Sequence, residues 1–268
     1  MIVEVAVLPQ MLQNAERKTC IVIDVLRAST TLVTMLERGA PMIRLAGSVE
    51  EARTIQAGQP DALLCGEHGG LAPAGFHYGN SPVEYQSLDL AERHIVYATS
   101  NGTKALAELV SAPTVLIGCF RNVSAVVEAA LAIGQDIAIV CAGRATGTAY
   151  GLDDVFCAGY MVGKIMAHVE IGDEADLKVD FARLISGGEF ETDRWFIDES
   201  AIAAYRLCTT YGGDIQAAFR ESGNGKGLIQ LGLESDLRFC GEVDTSRVVP
   251  TLANMRQGIE VVKRAEIV

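Results

Sequence analysis

A chain of 268 residues with 49% hydrophobic residues, 27 Gly and only 7 Pro suits one large α/β domain or two intimate lobes, and it excludes a disordered or fibrous protein. The net charge of −12 excludes the basic surface that nucleic-acid binding needs, and it obliges any anionic substrate to find cations, helix N-termini or a metal inside its site. No run of about 18 apolar residues is free of charge, so no membrane span is expected.

Glu4 stands where a signal peptide would carry basic residues, so the start of the chain reads as a first strand and a cytoplasmic location is expected. Short apolar runs predict strands over Ile2–Leu8, Cys20–Val25, Met42–Ala46, Ala62–Cys65, Ile95–Thr99, Thr114–Gly118 and Ile137–Cys141. Most are continuous runs without alternation, as in a sheet covered on both faces. Helical spacing falls between them at Ser29–Arg38, Val49–Gln56, Gly102–Val110, Val123–Ile133 and Asp153–His168. This alternation predicts a layered α/β fold, with a largely parallel sheet flanked by helices.

The last third changes character. A helix is expected over Ile197–Tyr211, then the glycine-rich stretch from Gly223 to Gly227, short helical pieces, and a strand pair at Arg247–Thr251 and Ile259–Lys263. That pair would close a sheet edge or pair within a C-terminal α/β lobe. Charge rises and hydrophobicity falls near residues 170–176, the place for a boundary if the single unit divides into two lobes. Seven cysteines are scattered singly without a CxxC pair or zinc spacing, which suits a reducing compartment, and Cys20, Cys65, Cys119 and Cys141, inside or beside apolar runs, read as buried thiols.

In open parallel sheets ligands bind where strands run into helices, so the polar residues of those turns are the candidates. Asp24 ends an apolar strand, and a charge there must be paired or bound to metal; an ion pair with Arg27 is the plain structural alternative. Ser29 or Thr30 would cap the following helix. Leu26 occupies the position where HAD phosphatases carry a second aspartate, and six residues separate Cys20 from Arg27 where tyrosine phosphatases have five. Both of those folds are disfavoured. Glu67 leaves the next strand, and Gly79-Asn80-Ser81-Pro82 forms a helix entry. Asn101-Gly102-Thr103 has the form of an anion nest or a plain tight turn. Asn122 follows the next strand, and Asp153 and Asp154 open a helix, where acids are favoured in any case. Carboxylates at successive turns suit Mg²⁺, with helix N-termini and Arg27 holding phosphate oxygens.

The segments DVLRASTT, GE followed by GNSP, SNGTKAL, GCFRN, AG followed by LDDVFCAG, and GKGLIQLGLESDLRFC ending in VVP resemble the 2-phosphosulfolactate phosphatase family, in order over nearly the whole chain. The resemblance implies a Mg²⁺-dependent phosphatase of a distinct α/β fold, releasing sulfolactate and phosphate on the way to coenzyme M. Asp24, Arg27, Glu67, Asn80, Asn101, Gly102, Thr103, Asn122 and Asp154 fall on its motif positions. In this reading Asp24 and Arg27 are catalytic, and Asp24, Glu67 and Asp154 bind the metal. The substrate would contact Asn80, Asn101, Gly102, Thr103 and Asn122. Asp153 stands where many members carry Glu, which favours Asp154 as the ligand. Some of Arg121, Arg144, Lys104 and Lys226 would add positive charge around a small anionic phosphorylated substrate. Two alternatives stay open: a phosphatase for another phosphorylated hydroxy acid, and a non-catalytic anion-binding protein of the same fold. A homo-oligomer is compatible with all three.

Overall fold

The computed structural model describes residues 1–99, 108–169, 195–253 and 258–264. The apolar runs form β1 (Ile2–Ala6), β2 (Lys18–Ile23), β3 (Ile43–Ala46), β4 (Leu63–Gly66), β5 (Ile95–Ala98), β6 (Thr114–Gly118) and β7 (Asp136–Cys141). Every residue of β2 is buried, as expected of a strand covered on both faces. Between the strands lie α1 (Ala28–Glu37), α2 (Val49–Ala57), the single turn α3 (Pro82–Tyr85), α4 (Val123–Ile133) and α5 (Leu152–His168). The last third supplies β8 (Phe196–Ile197), α6 (Glu199–Thr210), α7 (Ile215–Glu221), α8 (Gly223–Gln230), α9 (Glu234–Cys240), β9 (Pro250–Ala253) and β10 (Glu260–Lys263). Most of the helix expected at Gly102–Val110, and all of the boundary expected at 170–176, fall outside the described residues.

Among the described residues, strands from both ends of the chain share one 10-stranded sheet in the order β4-β5-β3-β10-β9-β6-β2-β7-β1-β8. Parallel pairing builds two blocks, β4-β5-β3 and β6-β2-β7-β1-β8, so the sheet is largely parallel, as the sequence predicts. The final strand pair neither closes an edge nor pairs in a separate lobe. It is an antiparallel hairpin set between the blocks, β10 against β3 and β9 against β6. There it satisfies backbone groups on an edge of each block and buries Val261 completely.

Three antiparallel pairings in succession make the two blocks run in opposite directions. In a flat sheet their carboxyl ends would point apart. Five strand-to-strand steps separate β5 from β2, and roughly 20–25° of twist per step accumulates to about 100–125°. The twist swings the carboxyl ends of β4 and β5 toward that of β2. Gly66 permits a close approach at this point: its φ is +130°, and a Cβ there would lie 2.0 Å from the carbonyl oxygen of Ala98.

Helices cover the sheet: α2 packs on β3, β4 and β5, and α5 packs on β1, β2 and β7 with α6 beside it. Under α2 lies a small core of Ala46, Ala52, Ala62, Leu64, Val96 and Ala98, separate from the main one. In the main core Phe120 meets Phe156, Tyr160 and Phe219 with ring centroids 5.4–5.8 Å apart, tying the exit of β6 to α5 and α7. All seven cysteines are free and buried, and burial raises the Cys20 and Cys65 thiols to about 12, so these are packing residues.

Candidate active site

Where the carboxyl ends meet, a cleft of about 340 Å³ is lined by Asp24 and Arg27 after β2, Glu67 after β4, Thr99 after β5, and Asn80 before α3. Its far wall carries Ala145, Thr146 and the first turn of α8, with Gly223 and Asn224. Among the described residues, Arg27 is the one cation lining this cleft.

Asp24 is 6% exposed. Its backbone carbonyl accepts from Ser29 N–H at 2.8 Å, and its Oδ1 accepts from Ala28 N–H at 3.4 Å. Neither Ser29 nor Thr30 is the cap: Arg27 occupies the N-cap position of α1, with no side-chain cap bond. Those two residues sit inside the first turn, with Thr30 Oγ1 donating to the Val25 carbonyl at 2.9 Å. Burial raises the Asp24 carboxyl to about 7; the Ala28 amide opposes the shift, and the nearby Asp153 and Glu67 charges reinforce it.

Arg27 does not form the ion pair with Asp24 that was the structural alternative. Its Nη1 donates to Asp236 Oδ2 at 2.7 Å, and its Nη2 donates to the Gly70 carbonyl at 2.6 Å. Asp236, on α9, is fully buried and was missed by reasoning on strand-to-helix turns. A signal was present: Asp236 shares its helix face with Leu233 and Cys240, at i−3 and i+4, where a charge needs a partner.

Glu67 Oε2 accepts from Gly70 N–H at 2.9 Å. Asn80 is held by the Tyr97 hydroxyl donating to its Oδ1 and by Thr31 Oγ1 donating to its carbonyl at 2.9 Å. With Oδ1 so engaged, the amide NH₂ is the group Asn80 can offer a ligand.

The two aspartates opening α5 divide their tasks. Neither is among the residues lining the cleft. Asp154 Oδ1 accepts from Val25 N–H at 2.9 Å and its Oδ2 from Gly143 N–H at 3.0 Å, clasping the exits of β2 and β7. Asp153 Oδ2 accepts from Asn224 Nδ2 at 2.9 Å, while its buried Oδ1 has no hydrogen-bond partner among the described residues. Burial raises both carboxyls, and for Asp154 the Asp153 and Asp24 charges add to the shift.

Asn122 also lies outside the cleft. Its Nδ2 donates to the carbonyls of Ile117 and Val248, at 3.1 and 2.9 Å, and its Oδ1 accepts from Cys119 N–H at 2.9 Å. These bonds fasten the exit of β6 to the approach of β9. Arg121 pairs with Glu242 and Glu37 and stacks on Phe239, away from the cleft. Arg144 donates Nε to the Tyr150 carbonyl at 2.9 Å and packs against Gly223. Lys226 is exposed. Asn101, Gly102, Thr103 and Lys104 lie outside the described residues.

The glycine-rich stretch forms the first half of α8, capped by Ser222, whose Oγ accepts from Gly225 N–H at 2.9 Å. Glycine weakens a helix by roughly 0.5–1 kcal/mol relative to Ala, but here contact overrides propensity. A Cβ on Gly225 would lie 1.8 Å from the Phe219 carbonyl, so the α7–α8 turn admits no side chain there.

Asp236 already neutralises Arg27, so Asp24, Asp153 and Asp154 together place more buried negative charge than Arg144 offsets, and Asp153 keeps an oxygen unpartnered among the described residues. Such a donor set fits a hard cation. Among the described residues, no three His, Cys, Asp or Glu side chains converge into a complete ligand set. Mg²⁺ does not require one, since one or two carboxylates, waters and phosphate oxygens usually make up its shell.

The family model described as 2-phosphosulpholactate phosphatase matches residues 6–255. A probable 2-phosphosulfolactate phosphatase of Deinococcus radiodurans is 39% identical over 234 residues, covering 87% of this chain and 86% of that protein. A protein of the same name from Carboxydothermus hydrogenoformans is 31% identical over 267 residues, covering 99% of this chain and 98% of its own. A third, from Thermotoga petrophila, is 34% identical over 239 residues, with 89% and 91% covered. The motifs that carried the resemblance lie within these matches, and the chain belongs to the 2-phosphosulfolactate phosphatase family.

Proposed function

We propose that this protein is a Mg²⁺-dependent phosphatase that hydrolyses 2-phosphosulfolactate to sulfolactate and phosphate, a step toward coenzyme M in organisms that make it. The observation that carries this reading is the meeting of Asp24, Glu67, Arg27 and the first turn of α8 in one cleft sized for a small acid. Asp24 and Glu67 would hold the metal, and of the two aspartates opening α5 the reading favours Asp153 over Asp154, because Asp153 Oδ1 has no partner among the described residues while both Asp154 oxygens accept from backbone amides. When bound, Mg²⁺ supplies charge neutralisation at the phosphoryl group and acidifies a water.

The chain's own groups do the positioning. The backbone amides of Gly223 and Asn224 belong to the first turn of α8, where N–H groups lack intrahelical acceptors and favour an anion. Arg27 keeps N–H groups beyond the two engaged by Asp236 and Gly70, and Asn80 offers its amide. Phosphoryl transfer asks mainly for such fixed donors. Free buried thiols fit a reducing compartment, and the cytoplasm is the proposed location. Within the described residues, no helix is long and apolar enough to cross a membrane.

A second reading, a phosphatase for another phosphorylated hydroxy acid, is favoured by Leu26, Leu228 and Leu231 in the cleft wall. These would suit a substrate carrying less charge than a sulfonate adds. Phosphate release from a panel of phosphorylated acids, with and without EDTA, tests both. Phosphosulfolactate should lead by kcat/KM and EDTA should abolish turnover. Preference for a desulfonated analogue selects the second reading, and no release from any acid rejects both.

A further inference from the structure

We propose that Asp236 is a positioning residue that fixes the plane of Arg27 and the Asn80–Ser81 turn against each other. The proposal rests on the phosphatase reading of the cleft. Asp236 does not line the cleft, yet it is fully buried and both of its oxygens reach cleft-wall segments. Oδ2 accepts from Arg27 Nη1 at 2.7 Å, and Oδ1 accepts from Ser81 Oγ at 2.6 Å. Arg27 Nη2 then donates to the Gly70 carbonyl at 2.6 Å. One carboxylate on α9 thereby joins the exit of β2, the loop after β4 and the turn into α3.

The chemistry explains why a carboxylate stands there. A guanidinium is a useful oxyanion ligand when its plane is fixed, because its two-pronged donation depends on orientation. Two bonds to protein atoms fix that plane and leave other N–H groups for the ligand. The Arg27–Asp236 pair has no net charge, so its contribution to the site is geometric. Without Asp236, Arg27 would be buried with no paired carboxylate and drawn toward Asp24, where it would compete with a cation. Ser81 gains as well: its hydroxyl is anchored, and the adjacent Asn80 is held in the cleft wall.

Asp236→Asn, Ser81→Ala, Arg27→Lys and the two double variants with Arg27→Lys test this. The readouts are kcat and KM on whichever phosphorylated acid the wild-type protein hydrolyses, thermal unfolding, and the Arg27 Nε–H signal by ¹⁵N NMR. Folded Asp236→Asn should lose on the order of 100-fold in kcat/KM, the scale of a misplaced binding group, and its Arg27 signal should broaden. The double variant should be no worse than the worse single, because both changes remove one unit. A folded Asp236→Asn protein with unchanged kcat/KM, or with a loss that multiplies that of Arg27→Lys, overturns the proposal and leaves a structural ion pair. If Asp236→Asn does not fold, Ser81→Ala with Arg27→Lys decides: non-additive losses are expected, and independent losses overturn it. If wild type releases no phosphate from any acid, the phosphatase reading falls. The NMR signal then judges Asp236 alone, and an Arg27 resonance unchanged in Asp236→Asn or, failing that, in Ser81→Ala refutes the positioning role.

Discussion

Asn224 donates its Nδ2 to Oδ2 of Asp153 at 2.9 Å, and this bond joins the first turn of α8 to the first turn of α5 at the cleft. The neighbouring Asp154 instead clasps two backbone amides. Asp154→Asn can accept with one oxygen only, so the Val25 or Gly143 amide would lose its acceptor at a cost of about 1–3 kcal/mol. Asp153→Asn should instead leave unfolding by denaturant nearly unchanged while weakening Mg²⁺ binding measured by calorimetry. The reverse pattern would return the metal to Asp154.

Dialysis against chelator should abolish turnover, and Mg²⁺ should restore it. The metal-free protein should also show a defined pH dependence. Folding raises the Asp24 carboxyl from 3.8 to about 7, so between those values the folded state binds more protons than the unfolded chain. Stability from this group is therefore fully present below about pH 4 and is lost as the pH rises through about 7. Because Mg²⁺ competes with that proton, added Mg²⁺ should raise Tm more at pH 7.5 than at pH 5. An equal rise at both values would separate Asp24 from the metal.

Asp24→Asn retains an acceptor for the Ala28 amide and should fold normally. It should lose at least about 100-fold in kcat, the scale of removing one preorganised electrostatic group. Circular dichroism and melting separate this outcome from unfolding. A folded variant with wild-type turnover would make Asp24 an acceptor for the Ala28 amide and nothing more.

Asn122→Ala removes four hydrogen bonds, one of them a weak one from the Cys119 thiol, from a fully buried site. It should cost about 2–4 kcal/mol of stability with KM unchanged at a temperature where the variant stays folded. A raised KM without loss of stability would restore the substrate contact implied by the family resemblance.

Much of the lining of the candidate cleft was legible before the fold. Asp24 ends an apolar strand and Glu67 leaves another, and a charge at such a place stands out because burial there demands a partner. The same logic, applied only to strand exits, passed over Asp236, which is buried on a helix face. Its structural alternative paired Arg27 with the nearest acid in sequence, Asp24, when the observed partner is 209 residues away.

Local periodicity is a property of neighbouring residues, and it determined the α/β class, the order of strands and helices, and which turns carry polar groups. Tertiary structure decided what those groups do. The closing hairpin, set between two oppositely running blocks, together with the accumulated twist, brings the exits of β2, β4 and β5 to one cleft. Packing of α8 and α9 then assigned Asp236 to Arg27 and Asn224 to Asp153, and the clasp of two strand exits assigned Asp154 to backbone amides. A carboxylate has the same chemistry in each of these places, and its role follows from which donors the folded chain sets against it. Those donors come from segments far apart in sequence, so no spacing within a motif records them.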